Sequence, residues 1–360
     1  VETVVIGGGQ AGLAVGYYLA REGLPFVILD ASERIGDAWR NRWDSLRVFT
    51  TARLTRLPGM PFPAPPVSFP TKDQVADYLE AYAARFDLPV RSGTRVERLS
   101  RENGRLVVET GENRIEAGNV VVAMSNYQLP RVPAFASELS GDIVQLHSSR
   151  YRNPSQFQDG DVLVVGASDS GSEIAVEASR SARFARTWLS GRTLPQIPFR
   201  IDTPFGRHIG VPTVVGQIFH RVLSIRTPVG RRVRSRIGSV GPNVRVKAAD
   251  IDAAGIKRIP KIAGVEGGRP RAEDGRVLDV ANVVWCTGFR PDYSWIDLPI
   301  FGDAGNPKEP VHDAGVVPGQ PGLYFVGLFF LYALTSSLFR GVGRDAKRIV
   351  QAIAARHAAA

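Results

Sequence analysis

Gly7, Gly9 and Gly12 stand in the spacing G-x-G-x-x-G directly after the apolar run Thr3–Ile6, and Leu13 to Arg21 continues as a helix. The chemistry of such a turn is anion binding. The first glycine permits a tight bend, the second lets backbone approach a pyrophosphate, and the third lets the helix pack against the strand. The helix N-terminus then presents unbonded amides to the negative charge. A second apolar strand, FVILD, ends in Asp30, 18 residues after Gly12. There a carboxylate accepts hydrogen bonds from the ribose hydroxyls of an adenine dinucleotide. A Gly-rich turn can be purely structural, but strand, helix and acid in register point to a bound dinucleotide.

The pattern returns at Val162–Ala175, VLVVGASDSGSEIA. Gly166 and Gly171 keep the outer positions, Ser168 replaces the middle glycine, and Asp169 and Ser170 fill the rest of the turn. The next strand, Phe184–Ser190, ends 19 residues after Gly171, and the counterpart of Asp30 reads Ser190-Gly191-Arg192. A hydroxyl and a guanidinium without a carboxylate suit the 2′-phosphate of NADPH rather than NADH; the plain alternative makes Arg192 one more surface arginine. The Ser168 side chain crowds the closest approach to a pyrophosphate, yet its hydroxyl can donate to a phosphate oxygen, so a non-binding second turn is the rival reading. Gly166–Ser170 also approaches the G-x-S-x-G nucleophile elbow of hydrolases. That reading is disfavoured: its fifth position is Ser170, and it leaves the upstream turn unexplained.

The chain has 360 residues, 44% hydrophobic and 22% charged, enough for two domains. No apolar run reaches the roughly 18 residues of a membrane span. The single cysteine, Cys286, rules out an internal disulfide or a CxxC redox pair and fits a reducing compartment. With no leader visible, the expected location is cytoplasmic. Net charge is +10, yet residues 203–249 hold eight arginines, one lysine and no acid. Phe205 and Phe219 are the only aromatics in this basic insertion, which argues against stacking on nucleic acid. A substrate lid, an anion-attracting surface and, less favoured, a membrane-surface contact compete with a plain solvated face.

The elements that must position these turns follow along the chain. Six prolines within 57–70 form a stiff connection, and Thr71 with Gln74 forms a capping box. The helix it opens carries Val75, Leu79, Tyr82 and Phe86 as its core stripe. Thr94 to Ala123 reads as a β-meander closed by Asn119–Ala123, and 214–223 as an amphipathic stripe of Val214, Val215, Ile218, Phe219, Val222 and Leu223. Strands return near 277–289 and at Leu323, and a last helix runs from about Gly343 to near His357. The expected class is α/β, with two Rossmann-like dinucleotide-binding domains, the second inserted into the first: 1–150 and 280–360 around 151–279.

With GDAWR at 36–40, LPGMPFP at 57–63, HSSRY at 147–151 and CTGFRPD at 286–292, the chain resembles the flavin-containing monooxygenases. The nearest likeness is to their small bacterial branch of NAD(P)/FAD-dependent oxidoreductases, and it runs nearly end to end. The resemblance implies the two-dinucleotide-binding flavoprotein fold, the NADPH domain inserted into the FAD domain. FAD would lie on Gly7, Gly9, Gln10, Ala11 and Gly12, with Asp30 and Ala31 at its ribose. Gly36, Trp39 and Arg40 match the motif beside the flavin half, and the Val96 backbone matches a contact to adenine. Cys286-Thr287-Gly288 matches the Ala-Thr-Gly linker between domains, whereas the earlier linker, at Ala123, departs from it as Ala123-Met124-Ser125. Leu334, Thr335 and Ser336 fall toward the flavin pyrimidine, and Gly327 is a further cofactor-binding candidate. NADPH would lie on Gly166, Ser168, Asp169, Ser170, Gly171, Ser190, Gly191 and Arg192.

The implied reaction is oxygenation of a small organic substrate: NADPH reduces FAD, and the reduced flavin captures O2 as a C4a-peroxide. The implied partners are that substrate and O2, with no nucleic acid and, of assemblies, a homodimer. Two departures stand out. Gly141 lies farther before His147 than in the family fingerprint, and Thr51 takes the place of an Asn that helps hold the peroxide. Thr51 is the candidate catalytic residue, and its lone hydroxyl favours an alternative, an NADPH oxidase or reductase releasing H2O2. A regulator with a dead site is the third reading.

Overall fold

A computed structural model describes residues 2–111, 113–181, 183, 185–237, 241–301 and 309–359. The first unit opens with β1 (Thr3–Ile6), α1 (Gln10–Arg21) and β2 (Phe26–Leu29), followed by α2 (Lys72–Arg85) and β3 (Val90–Arg91). A meander of β4 (Arg98–Glu102), β5 (Arg105–Thr110) and β6 (Asn113–Ala117) precedes β7 (Asn119–Val122). The second unit contains β8 (Val144–His147), β9 (Val162–Val165), α3 (Asp169–Ser179) and β10 (Thr187–Ser190). It continues with α4 (Pro228–Ile237), β11 (Lys257–Ile259) and β12 (Asn282–Trp285). The chain then returns to the first unit with β13 (Leu323–Phe325) and α5 (Phe339–Ala358).

Each unit is built on a five-stranded sheet whose paired strands all run parallel, in the orders β13-β7-β1-β2-β3 and β11-β10-β9-β12-β8. Strands covered on both faces must be apolar throughout, and β1, β7, β9 and β12 are buried at every position. On one face of the first sheet, α1 packs along α5, with Leu13, Val15 and Leu19 in one core with Val342, Ile349 and Ile353. The Thr71–Gln74 capping box forms as expected and starts α2, which buries Val75, Leu79 and Tyr82. Among the described residues no helix is long and apolar enough to cross a membrane.

Several expectations change. Asn119–Val122 does not close the meander but pairs between β1 and β13 inside the parallel sheet. The expected boundaries at 150 and 280 place Val144–His147 and Asn282–Trp285 with the first unit, whereas both pair within the second sheet. The strand ending at Ser190 starts at Thr187, and Phe184 lies outside the described residues. The final helix starts at Phe339, before Gly343. Val214–Val222 winds as a π-helix, whose wider turn does not keep a 3.6-residue stripe on one side. Val215 is therefore buried while Ile218 and Val222 face solvent.

A Cβ placed on Gly12 would lie 1.8 Å from the Gly7 carbonyl oxygen. Gly12→Ala should therefore destabilise the chain by about 1–3 kcal/mol or more, the range of overpacking. Gly141→Ala, where a Cβ meets nothing within 4 Å, should leave the denaturation midpoint unchanged. Equal midpoints for both variants would contradict the packing account.

Candidate functional site

The two glycine-rich turns share one backbone. Gly7 and Gly166 have φ of 109° and 112°; the next position but one, Gly9 and Ser168, has φ/ψ of −77°/−171° and −82°/−174°. At the third position a Cβ on Gly12 or Gly171 would stand 1.8 or 1.7 Å from the carbonyl oxygen of Gly7 or Gly166. The helix in each copy thus touches its own turn through bare backbone. Gly9 is different: its conformation suits any residue, and a Cβ there meets no atom within 4 Å. The fold does not require glycine at position 9. Open space in front of α1, beside amides that helical geometry leaves unbonded, is the cradle a pyrophosphate needs. In the second copy the Ser168 side chain enters the corresponding space and makes no capping bond to α3.

Asp30 projects from the end of β2 back to the first turn, where its carboxylate accepts hydrogen bonds from the amides of Gly8 and, at 2.7 Å, Ser32. A carboxylate has about four lone-pair sites, so acceptor capacity remains for ribose hydroxyls. Ala31 beside it is exposed. Gly36 adopts the left-handed φ of 91° with its α-carbon against the Ala76 backbone, which only a residue without Cβ tolerates. The following turn carries Trp39, whose Nε1 donates to Gln10 Oε1 at 3.4 Å, while Gln10 Nε2 donates to the Ser337 carbonyl at 3.4 Å. Gln10 therefore ties the start of α1 to the indole and to the segment entering α5. Arg40, from the same motif, is engaged by the protein: it donates to the Ile35 carbonyl and pairs with Asp37, Asp77 and Glu80. Its work is to fasten this loop to α2.

Val96 lies just before β4, partly buried against the core beneath β1 and β7. Ala123 closes the first turn from β7, its amide donating to the Ile6 carbonyl and its own backbone 3.2 Å from a Cβ on Gly7. Gly327, after β13, has φ of 85° and stands against Ala11. Leu334, Thr335 and Ser336 are buried. The Ser336 hydroxyl accepts from the amides of Tyr332 and Ala333, and the Thr335 hydroxyl meets His220 Nδ1 at 2.9 Å. Among the described residues, the amides of Thr335 and Ser337 have no acceptor. What this segment offers a ligand is backbone N–H just ahead of α5.

Thr51 is buried in a tight turn, its carbonyl accepting from the amides of Leu54 and Thr55 and from the Thr55 hydroxyl. Its own hydroxyl bonds to none of the described residues. It is thus a donor held in place with no protein partner.

At the second turn the structure redistributes the expected roles. Ser190, expected at a 2′-phosphate, is fully buried; its hydroxyl donates to the Pro260 carbonyl and accepts from the Ile262 amide. Gly191 has φ of 131°, and Arg192 is exposed, so the guanidinium alone remains available. Asp169 accepts from the Val244 amide at 2.8 Å, and burial raises its carboxyl above the usual range. Ser170 is half-buried beside it on α3. Asn243 Nδ2 donates to the Ala167 carbonyl, and Arg245 reaches from Glu173 to the Val48 carbonyl. This 243–245 strap over the turn was not legible in sequence, since nothing local in GPNVRVK marks its partners 70 or more residues away. Asn243 Oδ1 and Arg245 Nε are buried without a hydrogen-bond partner.

The linker residues brace the passage between units. Thr287 Oγ1 donates to the Arg131 carbonyl, and Gly288, with φ of 78°, offers its carbonyl to His147 Nε2 at 3.0 Å. Burial lowers the His147 pKa below its ordinary value. Cys286 is buried, and burial alone pushes its thiol up, so it presents no thiolate.

Residues 4–190 match the sequence pattern described as pyridine nucleotide-disulphide oxidoreductase. An uncharacterized CzcO-like oxidoreductase of Geobacillus kaustophilus is 39% identical over 98% of both chains. The chain belongs to the pyridine nucleotide-disulphide oxidoreductase family, on its flavin-monooxygenase branch. The probable indole-3-pyruvate monooxygenase YUCCA3 of Arabidopsis thaliana is 30% identical over 98% of this chain and 86% of its own. The flavin-containing monooxygenase of Stenotrophomonas maltophilia superposes with a TM-score of 0.78 at 28% identity, over 99% of this chain and 98% of that one. The disulphide chemistry in the family's description needs a cysteine pair, and this chain has one cysteine.

Gly9→Ala should keep the fold and its melting temperature while weakening flavin retention about tenfold, equivalent to about 1.4 kcal/mol; dialysis followed by flavin absorbance reads this. Full retention would show that the cradle binds elsewhere. A second prediction concerns Glu173, whose carboxyl is pushed up to about 7, chiefly by burial, with Arg245 pulling the other way. A carboxyl raised on folding stabilises while protonated; that contribution is full below its unfolded pKa and is lost as pH rises through the folded one. The melting temperature should therefore fall between about pH 4.5 and about pH 7 and level off above it, and Glu173→Gln should flatten that drop. An unchanged profile in the variant would refute the assignment.

Proposed function

We propose that the protein is an NADPH- and O2-dependent FAD monooxygenase that oxygenates a small organic molecule. The observation that carries this reading is the repeated cradle: one chain holds two turns of identical backbone, each opening on a helix N-terminus. FAD would be held by Gly7, Gly9, Gln10, Ala11, Gly12 and Asp30, with Trp39 and the amides ahead of α5 around its flavin half. NADPH would be held at Gly166, Ser168 and Gly171, with Arg192 on its 2′-phosphate. When bound, FAD supplies the redox chemistry, accepting electrons from NADPH and passing them to O2.

The residues supply placement. Gln10 orients the Trp39 indole against the segment entering α5. Arg245, spanning from Glu173 to Val48, fixes the second turn relative to the Thr51 turn. The Thr51 side chain is buried, and its hydroxyl offers one hydrogen bond to an oxygen atom. Electrons cannot leave through a dithiol of this chain, which has one cysteine, buried. The substrate would take an oxygen atom by N- or S-oxidation, Baeyer–Villiger insertion or oxidative decarboxylation.

A second reading, an NADPH oxidase that releases H2O2, draws on Thr51, whose single hydroxyl is a weaker hold than an amide with two donors. The H2O2 released per NADPH consumed, measured across a panel of amines, thioethers and ketones, separates the two. A compound that lowers the ratio well below one and emerges oxygenated supports the monooxygenase; a ratio of one throughout supports the oxidase. Arg192→Ala should raise the KM for NADPH about tenfold and leave the KM for NADH unchanged. Equal effects on both would remove Arg192 from the 2′-phosphate.

A further inference from the structure

A cavity of about 690 Å³ opens between residues 53–61, the start of α5 and the π-helical part of the basic insertion. Its walls carry Arg53, Arg56, Arg340 and Arg344, together with His220, and no carboxylate. Both nucleotide turns lie elsewhere: none of their residues lines it.

Three of these four arginines have no acid of the protein against them. Among the described residues Arg53, Arg56 and Arg340 make no ion pair, and Arg344 pairs only with its neighbour Asp345. Two are held in place by backbone. Arg340 Nε donates to the Gly216 carbonyl at 3.1 Å, and Arg344 Nη1 donates to the His220 carbonyl at 2.9 Å. Arg344 also lies over the Tyr332 ring, 4.2 Å from its centre, and its Nη2 is buried with no hydrogen-bond partner. An orphaned buried donor normally answers to a water or a ligand. Burial and the charges of Arg344, Arg340 and Arg221 push His220 down to about 4, so the ring adds no charge at neutral pH. Like charges gathered around one concavity raise the local concentration of anions, and planar guanidinium groups match carboxylate and phosphate oxygens in pairs.

We infer that this cavity is a binding site for a small multivalent anion, bearing carboxylate or phosphate oxygens, separate from both nucleotide turns. Arg53 and Arg56 are the exposed capture groups, and Arg340 and Arg344 form the fixed floor. The site also has a route to the flavin side: His220 Nδ1 meets the Thr335 hydroxyl at 2.9 Å, in the segment that precedes α5.

The test is isothermal titration of the purified protein, with NADP⁺ at saturation to occupy the second turn, at constant ionic strength maintained with sodium chloride. Citrate and inorganic pyrophosphate are the two probes and distinguish the carboxylate from the phosphate source. Saturable binding of either, one per chain, is expected. Arg53→Gln with Arg56→Gln should weaken it at least tenfold with no change in melting temperature, because both side chains are exposed and unpaired. Arg207→Gln with Arg231→Gln, in the basic insertion but outside the cavity, should leave it unchanged. No saturable heat with either anion, or the same loss from both double variants, overturns the site in favour of diffuse charge attraction.

Discussion

Everything at the nucleotide turns depends on a contact between backbone and backbone. Gly12 and Gly171 leave no room for even a methyl group against the carbonyls of Gly7 and Gly166. That approach sets the helix axis directly behind the bend, so the first helical amides aim into the space the turn encloses. A side chain at either position would push the helix aside, and the amides would lose their common focus. The parallel sheets serve this contact: β1 and β9 are central, buried strands, each flanked by two neighbours that fix the height at which the turn leaves the sheet.

Around that constraint the two copies diverge. The first turn keeps an empty position at Gly9 and gains Asp30 from the adjacent strand; the second has Ser168, and its adjacent strand ends in Ser190 without an acid. The second is also strapped, with Asn243 and Val244 bonded to the turn and Arg245 bridging to the loop before Thr51. One copy is an open cradle, and the other is a cradle coupled to the rest of the molecule.

How much of this could be read from sequence follows from the range of each interaction. The turns were legible because their rules are local: glycine spacing, an apolar strand before and a helix after. The Thr71–Gln74 capping box was legible for the same reason. Ser190 was misread because its hydroxyl bonds to Pro260 and Ile262, some 70 residues on, and no local pattern marks those partners. Arg40 was assigned to the flavin side by motif, whereas the acids of α2 hold it. Strands β8 and β12 were placed in the wrong unit because an apolar run does not state which sheet it joins. The stripe at 214–223 failed because the helix there is wound wider than the period assumed. The arginine-lined cavity assembles residues 53–61, 220 and 340–344, and only the fold brings them together.

The central claim is that both turns are nucleotide cradles with separate occupants. Hydrogen–deuterium exchange of the flavin-free protein, with FAD and NADPH added one at a time, tests it directly. The account predicts that FAD slows exchange at the amides of residues 7–13, and that NADPH, added to the flavin-loaded protein, slows exchange at 166–172 and at the 243–245 strap. NADPH protection confined to residues 7–13, or absent from 166–172, would contradict it and leave the second turn a structural relic.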